Sequence, residues 1–323
     1  RYRLPAAYAQ QKLRFDPRVW AENYRDDFSG PTLDRTEWDT SPDHNQNIDN
    51  HFGWGSEWYD FNDSSLVTIQ HPAGSDGIAC LTARRWLTAE GQPIEQPFGV
   101  YSDSSTRYVR YRSGMLVAKA GGHPDSPNWN NHSQQASYGA WEARLKLPAN
   151  PNAWPAFWLW CSEVEIDLVD GVTTDSTSTP PGLLNNVIDN QYKVPGIRPR
   201  PAQHASERRA KVWVVPGQKP ASAATLSDDF HTYTVVWTPK LVTFFFDGYE
   251  LRSVPRSVVV TRLGYPLLMF TLQMQPWAGA EPTPDPNECA QMYIDWVRIL
   301  KPRPDGRGQR NYNVAPSTYK TRE

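Results

Sequence analysis

The chain has 323 residues, of which 39% are hydrophobic, so it is long enough to bury a full core. Its formal net charge is only -2, and its 33 lysines and arginines are scattered along the sequence, which argues against a dedicated nucleic-acid-binding protein. No apolar run approaches the roughly 18 residues of a membrane-spanning segment, so we expect no membrane span.

Short strands are predicted along most of the chain, because alternating or β-branched segments recur between clusters of turn residues. In chain order these segments cover residues 66–70, 78–83, 115–120, 139–147, 211–215, 233–237, 242–246, 267–273 and 292–300. Helical periodicity is nearly absent, and 29 prolines with 20 glycines disfavour long helices. The sequence therefore predicts an all-β protein, built as a β-sandwich or jelly roll.

Two long irregular stretches, residues 41–63 and 171–209, interrupt this series of strands. Loops of this length in a compact domain are usually functional or disordered. The tryptophans, tyrosines and arginines in both stretches favour the walls of a binding cleft.

The arginines of interest form two groups, one before the strand at 115–120 and one in the second long stretch. They are Arg107, Arg110, Arg112, Arg198, Arg200, Arg208 and Arg209. Guanidinium groups pair with sulfate as well as with phosphate, so Arg110 and Arg200 are candidate contacts to a sulfated sugar. Exposed charge that only keeps the protein soluble is an equally good interpretation.

The segment from Trp154 to Asp170 joins an aromatic strand to a series of carboxylates separated by aliphatic residues. In an extended strand, Glu163, Glu165 and Asp167 share one face, and the aliphatic residues between them share the other. Neighbouring carboxylates repel each other, so the fold has no structural reason to place them together. Glycoside hydrolysis does need a pair: one carboxylate attacks the sugar or directs a water, and a protonated one donates to the leaving oxygen.

A solvent-facing strand with merely solvated acids is the alternative interpretation of this segment. The nearby Trp154, Trp158 and Trp160 favour a sugar site, because flat aromatic rings stack on sugar rings. Their parity in a regular strand is that of the face opposite the acids, so the side they occupy depends on a bend or bulge.

Three widely spaced cysteines, Cys80, Cys161 and Cys289, match no metal-ligand pattern. At most one intramolecular disulfide can form among them. Cys161 lies four residues before Glu165, but a small buried hydrophobic residue is a commoner role for a lone cysteine than a nucleophile.

Several segments, in order, resemble glycoside hydrolase family 16, the group of laminarinases, agarases, porphyranases, carrageenases and furcellaranases. The most specific match runs from residue 138 to 170. The matching segments are residues 26–30, 113–117, 138–146, 154–159, 165–167, 230–233, 247–248 and 293–298. The resemblance covers residues 26–301 as one catalytic domain, and residues 1–25 and 302–323 are predicted to be terminal extensions.

The resemblance implies a jelly-roll sandwich of two curved antiparallel sheets, with a substrate cleft on its concave face, and a retaining endo-hydrolase mechanism. In the family's motif Glu-x-Asp-x-x-Glu, the first Glu is the nucleophile, the Asp assists it and the last Glu is the acid/base. By position, Glu165 is the nucleophile, Asp167 its electrostatic partner, and Asp170 stands where the family has the acid/base Glu. No cofactor is required for this chemistry, but the family often carries a structural calcium, for which Asp27 and Asp295 are candidate ligands.

Asp170 departs from the family pattern in ways that have physical consequences. It lies five residues after Glu165 and so has opposite parity, which requires a β-bulge between Asp167 and Asp170 if the acids are to share a face. Its carboxyl is also retracted by roughly 1.5 Å relative to that of Glu, one carbon–carbon bond. Retaining chemistry needs carboxyls about 5 to 5.5 Å apart, and misplacement on this scale can cost about a hundredfold in rate.

Several interpretations of this departure stay open. Asp170 is an engineered, crippled acid/base that traps substrate, or a natural variant for which the backbone compensates, or part of a natural protein that binds sugar without cleaving it. In a further alternative, Glu163, Glu165 and Asp167 form the catalytic triad without any bulge, and Glu163 is the nucleophile.

Outside this segment, aromatic and histidine side chains are candidates for substrate binding. The candidate stacking platforms are Trp54, Trp58, Trp160 and Trp277, and the candidate polar contacts are His132 and His204. For each tryptophan, packing in the core is the alternative role.

The predicted function is retaining endo-hydrolysis of a β-linked polysaccharide, and the arginines favour a sulfated red-algal galactan such as carrageenan, furcellaran, porphyran or agar. Hydrolysis of β-1,3-glucan (laminarin) is the alternative that needs no arginines, and a non-catalytic carbohydrate-binding protein on the same fold is another. The expected partner is the polysaccharide. We expect a monomer that is secreted or periplasmic, with its signal peptide removed.

Overall fold

The computed structural model describes residues 14–40, 60–100, 106–118, 138–160, 164–173, 182–189, 210–212, 224–238, 241–255, 267–274 and 285–303. These residues are almost entirely β-strand. The helical segments among them are the single turns Pro17–Val19 and Ser64–Leu66 and the short helix α1 (Ala224–Ser227). None of the helices in the described part of the chain has the length and hydrophobicity to cross a membrane.

The larger sheet contains ten strands in the described residues. In chain order they are β1 (Trp20–Asp26), β3 (Asp60–Asn62), β4 (Val67–Gln70), β5 (Ile78–Arg85), β8 (Tyr111–Ser113), β10 (Gly139–Lys146), β16 (His231–Trp237), β17 (Leu241–Phe246), β18 (Tyr249–Pro255) and β20 (Cys289–Pro302). Their order in space is β18-β17-β16-β10-β20-β5-β8-β3, with β1 also paired to β20 and β4 to β5. The neighbours are antiparallel, except that β3 and β8 run parallel.

The smaller sheet contains eight described strands and carries the acid-rich segment. In chain order they are β2 (Trp38–Asp39), β9 (Met115–Ala118), β11 (Ala153–Trp160), β12 (Val164–Asp170), β13 (Val172–Thr173), β14 (Gly182–Asp189), β15 (Ala210–Val212) and β19 (Leu267–Met274). Their order in space is β13-β14-β12-β11-β19-β9-β2, with β15 paired to β14. A separate two-stranded sheet joins β6 (Gln96–Val100) to β7 (Thr106–Val109).

One large core lies between the two main sheets. The larger sheet contributes Trp141 and Phe244, and the smaller sheet contributes Phe157 and Phe270, all of them buried. The rings of Phe157 and Phe270 stack with centroids 4.7 Å apart. Since each sheet turns one face toward this core, the fold is an all-β sandwich, as predicted.

All nine predicted strands are present, and the structure adds strands that were not predicted, some of them in a stretch that was predicted to be irregular. The stretch 171–209 contains β13 and β14, and β14 pairs with β12 directly beside the acids. Two consecutive asparagines, Asn185 and Asn186, lie in the middle of β14. Because Asn is depleted in strands, no strand is predicted here from the sequence. The larger sheet also begins at Trp20, inside the predicted N-terminal extension, where β1 pairs with β20.

Candidate active site

The three predicted catalytic acids follow one another along β12. In the pairing of β11 with β12, Trp160 lies opposite Glu165, Trp158 opposite Asp167 and Ala156 opposite Asp170. Directly opposed residues in an antiparallel pair share a face of the sheet. Glu165, Asp167 and Asp170 therefore lie on one face, which we call the acid face.

A β-bulge in β12 turns Asp170 to the acid face. Phe157 pairs with Val169 and the next residue, Trp158, pairs with Asp167, so Leu168 is an extra residue in β12. Without the extra residue, Asp170 would point to the same side as Ile166. The bulge that the three-acid arrangement requires is thus present between Asp167 and Asp170.

Hydrophobic burial explains why the chain adopts this bulge. Leu168 and Val169 are adjacent in sequence, yet both are buried in the large core, as is Ile166. A regular strand would send one of the two adjacent residues out of the core, and the bulge lets both remain there. The acids consequently point away from the core, with Asp167 only 4% exposed and Glu165 and Asp170 half-buried.

Trp154 holds the carboxyl of Asp170. Its indole Nε1 donates a hydrogen bond to Oδ1 of Asp170, with the two atoms 3.0 Å apart. Gly171 adopts a left-handed conformation (φ +80°), and a Cβ at this position would lie 3.4 Å from the Trp154 ring. The Gly171 amide also donates to the carbonyl oxygen of Pro155 at 2.8 Å. The end of β12 is therefore fixed against β11 at the residue that should act as acid/base.

A small set of buried apolar side chains lies on the acid face beside the carboxylates. We call this set the apolar patch, and it consists of Met115, Val117, Ala156, Trp158, Leu267 and Met269. The register connects it to the acids, because Trp158 lies between Asp167 on one side and Met269 on the other. Apolar neighbours exclude water and strengthen electrostatic interactions, which suits chemistry that depends on charge.

Trp154, which the sequence indicates only as one of the tryptophans that favour a sugar site, becomes a candidate functional residue through its contact with Asp170. Its contact with Asp170 depends on the register of the β11–β12 hairpin, which no local pattern reveals. Trp154 and Trp158 alternate with core residues of β11, and the pairing of β11 with β12 places both of them on the acid face.

Most predicted substrate contacts fall outside the described residues. Trp160 pairs with Glu165 in backbone register, but its side chain is outside the description. The other predicted residues that lie outside it are Trp54, Trp58, Trp277, Arg200, His132 and His204, together with the alternative nucleophile Glu163 and Cys161. The remaining cysteines, Cys80 and Cys289, are both free thiols.

Arg110 lies between β7 of the two-stranded sheet and β8 of the larger sheet. Its guanidinium forms an ion pair with Glu95, so its charge is already balanced by a carboxylate. The contact of Arg110 with a sulfated sugar stays a prediction.

Of the two predicted calcium ligands, Asp295 lies in β20 of the larger sheet and Asp27 directly follows β1. Asp295 forms an ion pair with Arg144, which satisfies its carboxylate without a metal. In the described part of the chain, no three acidic, histidine or cysteine side chains are grouped as metal ligands. These residues do not by themselves form a calcium site, and the calcium with Asp27 and Asp295 as ligands stays a prediction.

Comparisons with known proteins agree with this geometry. The family described as Glycosyl hydrolases family 16 matches residues 104–298, which is more than half of the chain. A β-glucanase of Rhodothermus marinus is 23% identical, over 88% of this chain and 84% of its own length. Glucan endo-1,3-beta-glucosidase A1 of Niallia circulans is 21% identical over 88% of this chain, but the match spans only 39% of that protein.

Solved structures share the fold at low sequence identity. The catalytic domain of an endo-1,3-beta-glucanase (laminarinase) from Thermotoga petrophila superposes with a TM-score of 0.59 at 16% identity, covering 88% of this chain and 98% of that one. The kappa-carrageenase of Pseudoalteromonas carrageenovora gives a TM-score of 0.55 at 19% identity, covering 87% and 95%. At these identities the likeness concerns the fold alone.

Proposed function

The chain belongs to glycosyl hydrolases family 16, and from this premise we propose that it is a retaining endo-hydrolase of a β-linked polysaccharide. The observation that carries the proposal is the bulge at Leu168, because it allows one short strand to offer three carboxylates to the same sugar. A strand that served only the sandwich would have no need of this arrangement.

The proposed reaction has two steps. In the first, the Glu165 carboxylate forms a bond to the anomeric carbon while the glycosidic bond breaks, and Asp170 gives its proton to the leaving oxygen. In the second, water attacks the same carbon, Asp170 takes a proton from it, and Glu165 is released. Two inversions at one carbon retain its configuration.

Asp167 is proposed to act on the other two acids rather than on the sugar. It lies between Glu165 and Asp170 on β12 and is nearly fully buried beside the Trp158 ring. A carboxyl at this place can share a hydrogen bond or a proton with Glu165 and so control the charge of the nucleophile during the reaction. We therefore assign it as the electrostatic partner of Glu165.

Among the interpretations of Asp170, a natural variant with a compensating backbone has the best support. The bulge directs its side chain to the acid face, and the hydrogen bond from Trp154 fixes the position of its shorter carboxyl. A site that only binds sugar would have no use for an indole placed to hold this acid. The triad that includes Glu163 would leave Asp170, although on the acid face and bonded to Trp154, without a catalytic role.

For the polymer, we propose a β-1,3-linked glucan first. The names of two relatives, a β-glucanase and a glucan endo-1,3-beta-glucosidase, support this choice. The sulfated galactan was favoured by arginines, and the guanidinium of Arg110 is now accounted for by Glu95. A sulfated galactan remains the second candidate because of the arginine-rich residues 198–209. Either polymer is too large to enter a cell intact, so we propose that the protein acts outside the cytoplasm.

Reducing-sugar release from a panel of polymers tests the proposal. The panel contains laminarin, mixed-linkage β-glucan, agarose, porphyran and kappa-carrageenan, each treated with the wild-type chain and with Glu165→Gln. We expect release from at least one polymer by the wild type alone, and proton NMR of fresh product should show the β-anomer before mutarotation. Release of the α-anomer first would contradict the retaining mechanism. Depletion of the protein by an insoluble polymer, without any release, would instead indicate a pure binding protein.

A further inference from the structure

A buried amide lies on the acid face beyond the catalytic residues. Gln273 of β19 pairs with Trp154 of β11, the residue that holds Asp170. Its side chain is only 7% exposed, and its Nε2 has no hydrogen-bond partner among the described residues. A buried N–H donor thus lies next to the proposed active site, and no group in the described part of the chain satisfies it.

The register fixes the side to which Gln273 points. Its β19 neighbours Leu272 and Met274 are buried in the large core, whereas Gln273 alternates with them and belongs to the opposite side of the sheet. The residue two positions earlier, Thr271, lies opposite Ala156, which in turn lies opposite Asp170. Gln273 is therefore on the acid face, one row beyond Asp170 along the strands.

An unsatisfied buried amide destabilises the fold, because the donor loses its water and gains nothing in return. The same position in a purely structural sheet would be better filled by Leu or Met, as Leu267 and Met269 fill the acid face on the same strand. An amide at this place is explained if a bound molecule supplies the missing acceptor.

We infer that Gln273 is a substrate-binding residue whose Nε2 donates a hydrogen bond to an oxygen of the polysaccharide. This inference rests on the proposed function. Because β11 separates β19 from β12 and Gln273 lies one row farther along the strands, the two residues are about 12 Å apart on the sheet, two strand spacings across and two residues along. The Trp154 indole, which reaches Asp170, lies between them. The acceptor must then belong to a sugar unit other than the one whose bond Asp170 protonates. It is a hydroxyl or ring oxygen, the acceptors that a neutral glucan offers to an amide.

The substitution Gln273→Leu tests the inference, because it keeps the size of the side chain and removes the donor. We expect KM on the cleaved polymer to rise about tenfold, with kcat changed less than about threefold, as for loss of an interaction made equally in ground and transition states. The melting temperature should stay the same or rise, since a buried unpaired donor is removed. Gln273→Glu, which has no N–H, should raise KM by a similar factor.

Gln291→Leu is the matched control, since it makes the same chemical change at an exposed position of β20. It should change neither KM nor kcat. A lower melting temperature for Gln273→Leu with an unchanged KM would overturn the inference and show that the amide is structural.

If the wild-type chain cleaves no polymer of the panel, the proposed function fails and binding becomes the measurement. Retardation of the wild type and of Gln273→Leu is then compared in gels that contain each polymer. Weaker retardation of the variant would support the inference independently of catalysis. Equal retardation, including none for either protein, would overturn it.

Discussion

Both sheets carry carboxylates on the faces that point away from the shared core, but the two sheets surround them with different neighbours. On the larger sheet, Glu142 lies directly opposite Arg298 and forms an ion pair with it, and it also accepts a hydrogen bond from Thr234 at 3.0 Å. On β12, the residues opposite the acids are Ala156, Trp158 and Trp160. One sheet alternates opposite charges, and the other lines up like charges against apolar residues.

This difference separates acids that stabilise the fold from acids that are kept for chemistry. Opposite charges across a strand pair stabilise a sheet, and the Arg298 guanidinium offsets part of the cost of burying Glu142, although burial still raises the pKa of this carboxyl. A row of like charges has the reverse effect, so the fold must tolerate it for another reason. We therefore expect substitution of an acid on β12 to change kcat, and substitution of Glu142 on the larger sheet to change the free energy of unfolding.

The largest expected effect comes from neutralising one acid on each sheet, Glu165 on the smaller sheet and Glu142 on the larger one. Glu165→Gln should lower kcat by at least about a thousandfold, since the nucleophile is removed, with little loss of stability. Glu142→Gln should leave kcat nearly unchanged but lower the free energy of unfolding by roughly 3 kcal/mol, because Arg298 loses its buried partner. Initial rates of reducing-sugar release and urea unfolding measure the two quantities. If each of the two variants lowered both kcat and the free energy of unfolding, the acids of the two sheets would not differ in role as proposed.

A smaller effect is expected at the indole that holds Asp170. Trp154→Phe keeps a ring over Gly171 but removes the N–H donor, so the acid/base is less well positioned, and kcat should fall by about tenfold to a hundredfold. KM should change much less, and the pH dependence of kcat should differ from that of the wild type.

Trp296→Phe is the control in the larger sheet, where the Trp296 ring contacts the guanidinium groups of Arg25 and Arg298. We expect wild-type kcat and an unchanged pH profile for this variant. An equal fall in kcat for Trp154→Phe and Trp296→Phe would mean that the Trp154 bond has no special role.

Lengthening the third acid probes the same contact in the opposite direction. In Asp170→Glu the carboxyl extends about 1.5 Å farther and no longer matches the Trp154 N–H, so kcat should fall by about tenfold. Steady-state rates on the cleaved polymer provide the measurement. A tenfold rise instead would identify Asp170 as a damaged acid/base, and an unchanged rate would show that the backbone tolerates either length.

The sequence contained enough information for the strands and for the face of the acids, but not for the contacts between strands. Leu168 and Val169, two adjacent apolar residues in an alternating segment, were a visible sign of the bulge, which the resemblance also required. The approach of Trp154 to Asp170 and of Glu95 to Arg110 could not be predicted, because both depend on tertiary register. The strand β14 was missed because asparagines are locally unfavourable there, and pairing with β12 overrides that preference.

The last expected effect concerns an acid of the larger sheet that has no cation opposite it. Asp60 of β3 is 1% exposed, and its Oδ2 accepts a hydrogen bond from the Met274 amide at 2.8 Å. Burial raises the pKa of Asp60 from its ordinary value of 3.8 to about 8, against the opposing effect of that hydrogen bond. The Asp60 carboxyl is therefore protonated and neutral in the folded protein near pH 7, whereas Glu142 forms an ion pair with Arg298.

The consequence is a stability that depends on pH. Between about pH 4 and pH 8 the folded protein keeps a proton on Asp60 that the unfolded chain releases, so the free energy of unfolding should fall as the pH rises, by up to roughly 1.4 kcal/mol per pH unit. Asp60→Asn removes this titration. Urea unfolding at pH 5, 6, 7 and 8 should therefore show the variant gaining on the wild type with each step. A constant difference between Asp60→Asn and the wild type would mean that Asp60 is ionised in the fold, and the contrast with Glu142 would then lie in its partners and not in its charge.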